Sequence, residues 1–211
     1  MEINLSPETF FDLADFTHRE VFAGCRFVWE VLPKLEFYIS DLFEKGKITA
    51  NCGEDVYLGE GTVVEPGAYI KGPAIIGKNC RIGHVAYLRE NVLAGDNCVF
   101  GHGTEVKNSI FLPGAVVAHL NYIGDSILGK NVNVSAGAIL ANFRLDQETI
   151  KVRLGEKDLD TKLSKFGAAV GDSSRIGVNS VLNPGTLLGK KSLVYPLASV
   201  RGYHPQGSLI R

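Results

Sequence analysis

The chain has 211 residues, a formal net charge of −1 and a pI near 6.5. This near-neutral balance gives no electrostatic reason to expect nucleic acid or an anionic membrane as a partner. The sequence has no run of eighteen apolar residues and begins with the polar stretch Met1-Glu2-Ile3-Asn4, so we expect a cytoplasmic protein without membrane insertion.

Residues 1–46 differ in kind from the rest of the chain. Ser6-Pro7-Glu8 is typical of a helix start, and Thr17-His18-Arg19-Glu20 has the pattern of a capping box. Apolar residues then recur at helical spacing from Phe27 to Phe43. Since repeat arrays need covered ends, we expect this segment to be a helical cap over one end of the fold that follows.

The next part of the chain has a six-residue period, which fits neither an α-helix nor a strand with alternating faces. Such a period is typical of a β-helix, in which short parallel strands coil and stack, with the aliphatic residue filling the interior. We therefore predict an all-β solenoid over residues 47–205, followed by a short tail at 206–211. The periodic positions are Cys52, Leu58, Val64, Ile70, Ile76, Ile82, Leu88, Ala94, Phe100, Val106 and Leu112.

The period is disturbed after Leu112, where two steps shorten to five residues, and it breaks off at residues 143–165. In this stretch Ile150, Val152 and Leu154 alternate before the turn-like Gly155, which predicts an extruded hairpin loop. A loop this long inside a compact fold is usually functional. The repeat then resumes at Val170, Ile176, Leu182, Leu188, Val194 and Val200.

Residues 101–142 carry the densest polar chemistry, including Thr104-Glu105-Val106-Lys107-Asn108-Ser109 and a His-x-Asn-Tyr-x-Gly-Asp-Ser motif that begins at His119. A later motif reads Asn179-Ser180-Val181-Leu182-Asn183-Pro184-Gly185-Thr186. With these motifs the sequence resembles the acetyltransferase domain of the bifunctional glucosamine-1-phosphate acetyltransferase/uridyltransferases, and more closely the sugar-phosphate nucleotidyltransferase-like branch. The resemblance covers nearly the whole chain. It implies a homotrimer and a left-handed parallel β-helix of hexapeptide repeats, although parallel crossovers are ordinarily right-handed.

The resemblance also implies a reaction, the transfer of an acetyl group from acetyl-CoA to the amine of a hexosamine 1-phosphate. A protonated amine cannot attack a thioester, so a base must remove a proton, and imidazole suits that task at neutral pH. A backbone N–H can stabilise the oxyanion that develops. The resemblance gives the role of base to His119, that of oxyanion donor to Ala136 and a place near the acetyl group to Asn142.

The same resemblance assigns binding residues. Arg89 and Lys107 are expected at the sugar phosphate, and Tyr122 and Asn133 at the sugar. After Asn142 the sequence departs from the family, with Phe-Arg-Leu in place of Tyr-Asp-Gly and its two nearby lysines. We therefore expect the basic residues further along to contact the phosphate of the acceptor or of coenzyme A. These residues are Lys151 for the acceptor, and Lys165, Lys190, Lys191 and Arg201 for the coenzyme.

Two other functions stay open at this point. His84 and His102 are one 18-residue coil apart, so they should stack, and with His119 they suggest a zinc site like that of γ-class carbonic anhydrases. The H-x4-H pair of that family is absent, so no metal is expected. A non-catalytic trimeric scaffold is the other alternative.

The sequence leaves the acceptor open among glucosamine 1-phosphate, which the resemblance favours, galactosamine 1-phosphate and a nucleotide-linked amino sugar. No glycine-rich nucleotide loop precedes the coil. We therefore expect nucleotidyl transfer, the next step in such a pathway, to fall to a separate partner enzyme.

Overall fold

The computed structural model describes residues 3–211. Its body is a left-handed parallel β-helix, whose short strands stack into three sheets that form the three sides of a prism. We call these sheets A, B and C in the order in which the chain passes through them. Within the described residues, sheets A and B have eight strands each and sheet C has seven.

The strands are two or three residues long, because a corner interrupts the chain before and after each of them. Sheet A contains Val56–Leu58, Ala74–Ile76, Val92–Ala94, Ser109–Phe111, Ile127–Leu128, Ala168–Val170, Thr186–Leu188 and Tyr203–His204. Sheet B contains Val63–Val64, Arg81–Ile82, Val99–Phe100, Val116–Val117, Asn133–Val134, Arg175–Ile176, Leu193–Val194 and Leu209–Ile210. Sheet C contains Tyr69–Ile70, Tyr87–Leu88, Glu105–Lys107, Tyr122–Gly124, Ile139–Leu140, Val181–Leu182 and Ser199–Val200.

The interior of the coil confirms the six-residue period. Ile76, Ile82 and Leu88, one from each sheet, are fully buried in a single apolar cluster that runs along the coil. Two predicted positions are wrong. Cys52 is exposed, and Phe111 rather than Leu112 points into the coil, since the first five-residue step follows Val106, one step earlier than predicted.

The length of a coil changes along the molecule. Val56 pairs with Ala74 in a coil of 18 residues, whereas Val92 pairs with Ser109 in a coil of 17. The predicted change of register is therefore real, and the next coil, in which Ile110 pairs with Ile127, also has 17 residues. At the other end Leu209–Ile210 pairs with Leu193–Val194, so the segment predicted as a tail continues the coil.

The long insertion leaves the coil after Ile139–Leu140 and returns before Ala168–Val170. Within it Lys151–Leu154 and Lys157–Asp160 form an antiparallel hairpin, which confirms the prediction. The hairpin folds back onto the coil, because Ile150 and Val152 are fully buried against the outer face of sheet A.

The N-terminal segment does not cap the end of the coil, and in this the prediction is wrong. It packs along the outer face of sheet A, where the middle residue of successive strands is apolar and points outward, as Leu93 and Ile110 do. Because both faces of these strands are apolar, the outer face has to be covered. The segment contains the helices Pro7–Phe10 and Leu35–Glu44 and the 3-10 helices Arg19–Phe22 and Val28–Lys34.

Two predicted helix starts can be compared with these elements. Pro7 lies in the first turn of its helix, as expected, with Glu8 beside it. The capping box at residues 17–20 is wrong, because the 3-10 helix there begins at Arg19 and no side chain caps it. With sheet A covered, the outer faces of sheets B and C and the corners between the sheets are left to carry a functional site.

Candidate active site

His119 lies at the corner where the coil passes from sheet B to sheet C. His102 and Ala136 occupy the same position in the coils before and after. The Leu120 N–H donates to the His102 carbonyl at 2.9 Å, and the Gly137 N–H donates to the His119 carbonyl at 2.9 Å. The His119 side chain is exposed, and its imidazole has no hydrogen-bond partner within residues 3–211.

The turn one coil after His119 presents a free backbone donor. The turn runs from Ser135 to Ala138, closed by a 3.3 Å bond from the Ala138 N–H to the Ser135 carbonyl. Gly137 has a φ of +70°, which glycine adopts without steric cost. The Ala136 N–H has no acceptor in the described part of the chain. It lies about 4.8 Å, one strand spacing, along the coil from the His119 backbone.

A second group of residues lies at the other end of sheet C, where the coil passes to sheet A. Asn108, Asp125 and Asn142 occupy one position in three consecutive coils. Asp125 accepts a 2.8 Å hydrogen bond from the Asn108 amide on one oxygen and a short one from the Asn142 amide on the other. Asp125 is 5% exposed and Asn142 is 8% exposed, so a buried network fixes Asn142.

Tyr122 lies on the outer face of sheet C, half-buried, with its hydroxyl beside Asn142. Gly124 leaves room for this contact: a Cβ at that position would lie 2.6 Å from the Asn142 amide nitrogen and 2.8 Å from the Tyr122 hydroxyl. Burial raises the pKa of Tyr122, and the carboxylate of Asp125 adds to the effect. The phenol therefore stays protonated and can donate a hydrogen bond.

The two predicted phosphate contacts differ in their environment. Arg89 Nη1 lies 3.0 Å from Glu105 Oε1, and this hydrogen bond is the main reason why the pKa of Arg89 is raised. Glu90 lies 3.9 Å away on the other side. Lys107 forms no ion pair within residues 3–211. Arg89 is therefore already partly neutralised, whereas Lys107 is available to an anion.

A groove of about 480 Å³ opens between the hairpin and the last coils; we call it the hairpin groove. In it Arg144 pairs with Asp146, and Arg153 lies 3.7 Å from Asp158. The lining residues are Ala141, Phe143, Arg144, Leu145, Asp146, Lys151, Arg153, Asp158, Asn183, Pro184, Arg201 and Gly202.

Two cations of the hairpin groove remain unpaired. Lys151 and Arg201 are exposed, and neither has an ion-pair partner in the part of the chain that the structure describes. The structure thus brings together two predicted residues that are fifty positions apart in the sequence.

Other predicted residues lie apart from these groups. Asn133 is on the outer face of sheet B, half-buried, in register with Val116 of the preceding coil. Lys165 is exposed near the root of the hairpin. Lys190 and Lys191 lie at the corner between sheets A and B, where Lys190 Nζ is 3.6 Å from Asp172.

The stacking of His84 on His102 is confirmed, with ring centroids 5.3 Å apart and an angle of 5° between the planes. Their Nδ1 atoms are 3.3 Å apart. His119 does not join them: within residues 3–211 no three or more His, Cys, Asp or Glu side chains form a group that could hold a metal ion.

Sequence reasoning missed Glu105, Asp125 and the buried Asn121. A signal for Asp125 was present, since Asn108, Asp125 and Asn142 follow one another at the 17-residue spacing of the local coils. The pairing of Glu105 with Arg89 has no comparable signal, because it depends on where two long side chains point.

Comparison with known proteins agrees with this architecture. Residues 70–157 match a family described as the GMPPB C-terminal domain, and residues 167–195 match the hexapeptide repeat of succinyl-transferase. The fold is thus a left-handed β-helix built from hexapeptide repeats. More particularly, the chain resembles the acetyltransferase domain of the bifunctional sugar-phosphate nucleotidyltransferase/acetyltransferases.

Two relatives illustrate this resemblance. The bifunctional sugar-1-phosphate nucleotidylyltransferase/acetyltransferase of Sulfurisphaera tokodaii is 38% identical over 96 residues, which are 46% of this chain and 24% of the relative. The bifunctional protein GlmU of Methanococcus maripaludis is 34% identical over 170 residues, 79% of this chain and 41% of the relative. The chain thus spans less than half the length of these two relatives.

Among solved structures, the acetyltransferase domain of PglB from Neisseria gonorrhoeae in complex with acetyl coenzyme A is 18% identical, with a TM-score of 0.44. It covers 71% of this chain and 53% of that one. Separately, none of the helices within residues 3–211 is long and apolar enough to cross a membrane.

Proposed function

We propose that this protein is an acyltransferase that moves the acetyl group of acetyl-CoA to the amine of a hexosamine 1-phosphate. The observation that carries the proposal is the corner between sheets B and C. There an exposed histidine and an unpaired backbone N–H follow one another in adjacent coils, His119 before Ala136. A base and an oxyanion donor side by side are what the transfer of an acyl group to an amine requires.

In the proposed reaction His119 takes a proton from the ammonium of the acceptor, and the free amine nitrogen attacks the thioester carbonyl carbon. The Ala136 N–H donates to the oxygen that becomes negative as the N–C bond forms. The tetrahedral centre then collapses and the C–S bond breaks. Coenzyme A leaves as a thiol with the proton that His119 had taken, and the amide nitrogen releases its second proton to solvent. Each of the two groups, base and oxyanion donor, typically contributes about 10²-fold or more to the rate of such reactions.

The acceptor is proposed to lie along sheet C. Its phosphate would pair with Lys107 and with Arg89, which Glu105 leaves partly available. Tyr122 would hold the sugar ring, together with Asn133 from sheet B of a neighbouring copy in the proposed homotrimer. Asn142, fixed by Asp125, lies at the end of sheet C away from His119, and it would face the acetyl group of a site shared with a neighbouring copy. The name of the Sulfurisphaera tokodaii relative, which combines sugar-1-phosphate nucleotidyl transfer with acetyl transfer, supports an amino-sugar phosphate, and glucosamine 1-phosphate is our first choice.

The hairpin groove offers a second place for phosphate. Lys151 and Arg201 are unpaired cations facing one groove, where a phosphate of the acceptor and a phosphate of coenzyme A would lie side by side. We assign Lys151 to the acceptor and Arg201, with Lys165, to the coenzyme. Lys190 and Lys191 lie at a different corner, so they would contact only the part of the coenzyme that is furthest from its thioester.

A thiol-release assay with acetyl-CoA and a panel of amino-sugar phosphates tests the proposal. We expect thiol release with glucosamine 1-phosphate that persists after treatment with a chelator. Failure to bind acetyl-CoA would favour the scaffold alternative, and loss of activity with the chelator would favour the zinc alternative.

The same assay tests the phosphate contacts. Lys107→Ala and Lys151→Ala should raise KM for the acceptor by about 10-fold or more with little change in kcat, because a contact made equally in ground and transition states affects binding. Arg201→Ala should raise KM for acetyl-CoA instead. Lys157→Ala, on the other strand of the hairpin, is the matched control and should change neither constant.

The product would be an N-acetylhexosamine 1-phosphate. We propose that a nucleotidyltransferase consumes it next, since the Sulfurisphaera tokodaii relative is named for these two activities in one chain. The protein is further proposed to act in the cytoplasm, where acetyl-CoA is available, as a homotrimer.

A further inference from the structure

Asn121 is the one large polar residue at its position in the coil. The position follows the corner between sheets B and C and points into the interior, and in the neighbouring coils it is occupied by smaller residues. Asn121 is 3% exposed. The equivalent residues are Ala68, Ala86, Thr104, Ala138, Ser180 and Ala198.

The side chain of Asn121 clamps the turn of the next coil. Its Nδ2 donates to the Ser135 carbonyl at 2.7 Å and to the Ala138 carbonyl at 3.0 Å. The orientation of the amide follows from these contacts, because the reverse orientation would set Oδ1 against two carbonyl oxygens. Oδ1 itself is buried without a partner within residues 3–211, an arrangement that a smaller side chain would avoid.

The clamped turn is the one that presents the free N–H. Ser135 and Ala138 are its first and last residues, and Ala136 lies between them. Asn121 is also only two residues from His119, on the same coil. A single rigid side chain thus connects the coil that carries the proposed base with both ends of the turn that carries the proposed oxyanion donor.

Ser180 shows which part of this arrangement is ordinary for the fold. Its hydroxyl occupies the same position and lies 3.0 Å from the Tyr195 carbonyl of the next coil, so a polar tie between coils is not by itself special. The turn that Ser180 reaches contains Pro196, which has no N–H, and Ser180 does not reach the far end of that turn. Among the described residues at this corner position, Asn121 alone makes two hydrogen bonds to the turn of the next coil.

We infer that Asn121 is a positioning residue for the proposed acetyl transfer, which holds the Ala136 N–H at a fixed place relative to His119. The inference rests on the proposed function, since it assigns Asn121 no contact with substrate. A displacement of about 1 Å at an oxyanion donor can cost on the order of 10²-fold in rate. Substitution of Asn121 should therefore act on kcat and leave binding unchanged.

The test compares Asn121→Ala and Asn121→Ser with Ser180→Ala, which removes the ordinary tie at the same corner. We expect Asn121→Ala to lower kcat by about 10- to 100-fold with both KM values and the pH profile of kcat unchanged, and Asn121→Ser to fall between it and the wild type. Ser180→Ala should keep kcat within about twofold. Should Asn121→Ala fail to fold, Asn121→Ser carries the test, because serine is accepted at this position in another coil.

Amide hydrogen exchange supplies a readout that does not depend on activity. The Gly137 and Ala138 amides should exchange faster in Asn121→Ala than in the wild type, and Ser180→Ala should leave them unchanged. If Asn121→Ala exchanges faster but keeps the wild-type kcat, Asn121 has no positioning role in catalysis. If its amide exchange is unaltered, the Asn121 hydrogen bonds do not hold the turn. A wild-type protein inactive toward every amino-sugar phosphate would instead count against the proposed function, and the exchange data alone would then decide the clamp.

Discussion

At the scale of single residues, His119 owes its proposed role to its place on the coil. Its imidazole has no partner within the described residues, so no carboxylate fixes its orientation or its tautomer. A substrate amine can reach it directly, because the side chain is exposed. As a consequence, the imidazole ring would take up a fixed orientation only when the acceptor is bound.

His119→Ala should lower kcat far more than it changes KM. Removal of a proton from the attacking amine is needed in the transition state only, and loss of a general base typically costs roughly 10²- to 10⁴-fold in rate. Steady-state kinetics with acetyl-CoA and glucosamine 1-phosphate measure the effect. The control is His84→Ala, another exposed histidine of the same corner, which should keep the wild-type rate. A His119→Ala protein with more than about half of the wild-type kcat would rule out this base and make His102 the next residue to test.

Sequence spacing could predict the residues of this corner but not their partners. The 17-residue step from His102 to His119 to Ala136 places all three at one corner, since each coil repeats the corner of the one before. The ion pair between Glu105 and Arg89 depends on the direction in which the two side chains point, and sequence spacing does not predict that direction. The same holds for Asn121, whose polar side chain points inward where the hexads predict a small residue.

At the scale of elements, the hairpin and the N-terminal segment form one cover over sheet A. Trp29 of the 3-10 helix Val28–Lys34 meets Phe166 at the root of the hairpin, with ring centroids 6.0 Å apart. Both residues are almost completely buried. The hairpin is therefore held in place by buried aromatic packing at its root, which would keep Lys151 at a fixed distance from Arg201.

Phe166→Ala should destabilise the whole fold, because it opens a cavity between the two halves of the cover. Phe to Ala substitutions in a core cost about 3–5 kcal/mol. Urea unfolding should show a lower midpoint at an unchanged m-value. Leu145→Ala, at a fully exposed position of the same loop, is the control and should lie within about 0.5 kcal/mol of the wild type. A loss below about 1 kcal/mol for Phe166→Ala would show that the cover does not pack as described.

The cover also makes stability depend on pH through His18. Its Nδ1 lies 3.1 Å from the Tyr38 hydroxyl. Burial lowers the pKa of His18, and Asp96 opposes this only in part, so the folded state keeps the imidazole neutral at a pH where the unfolded chain binds a proton. The unfolded state then binds more protons than the folded one, and the free energy of unfolding falls as the pH drops below about 6.5.

His18→Gln should remove this part of the pH dependence. The difference in unfolding free energy between wild type and variant should be largest at a pH of about 7.5 and shrink toward a pH of about 5. Urea titrations at several pH values measure it. A difference that stays constant over this range would mean that His18 titrates alike in the folded and unfolded chain.

The N-terminal segment is the element whose place the sequence analysis got wrong, although a signal was available. Strands of sheet A carry fully buried apolar side chains on both faces, as Ile75 between Ala74 and Ile76 shows, whereas the outward residues of the strands of sheets B and C are polar, exposed or only half-buried. A six-residue period records only the inward positions. The three-residue strands of sheet A that are apolar on both faces indicate that the helices cover the side of the prism and not its end.

At the scale of the whole molecule, the uncovered corner between sheets B and C carries exposed aliphatic residues in a strained backbone conformation, beside its histidines. Val85, Leu120 and Leu197 occupy the same corner position with φ of 51°, 52° and 65°, a region that aliphatic residues rarely adopt. Leu120 is 63% exposed and Leu197 is 76% exposed. Most other residues with positive φ in this chain are Gly, Asn or Asp. In a monomer, exposed aliphatic residues at a strained position contribute no stabilisation that would offset the strain. In an oligomer, a neighbouring copy would bury them.

The proposed homotrimer should therefore depend on this corner. Sedimentation equilibrium at micromolar concentration should give a particle of about three times the 22.8 kDa of the chain. The double variant Leu120→Lys, Leu197→Lys should sediment as a monomer, because two buried charges per contact are costly to desolvate. Lysine adds no unusual backbone strain, since Lys191 already adopts a φ of 60°.

The control for the trimer is Phe37→Lys on the helix Leu35–Glu44. Phe37 is 76% exposed, as Leu197 is, but it lies on the cover of sheet A, away from the corner between sheets B and C. This variant should remain a trimer. If the wild type is a monomer the assembly is wrong. If the double lysine variant still forms trimers, the copies meet through other surfaces. The strained backbone at Leu120 would then need another explanation, and contact between Leu120 and a ligand bound beside His119 is the first to examine.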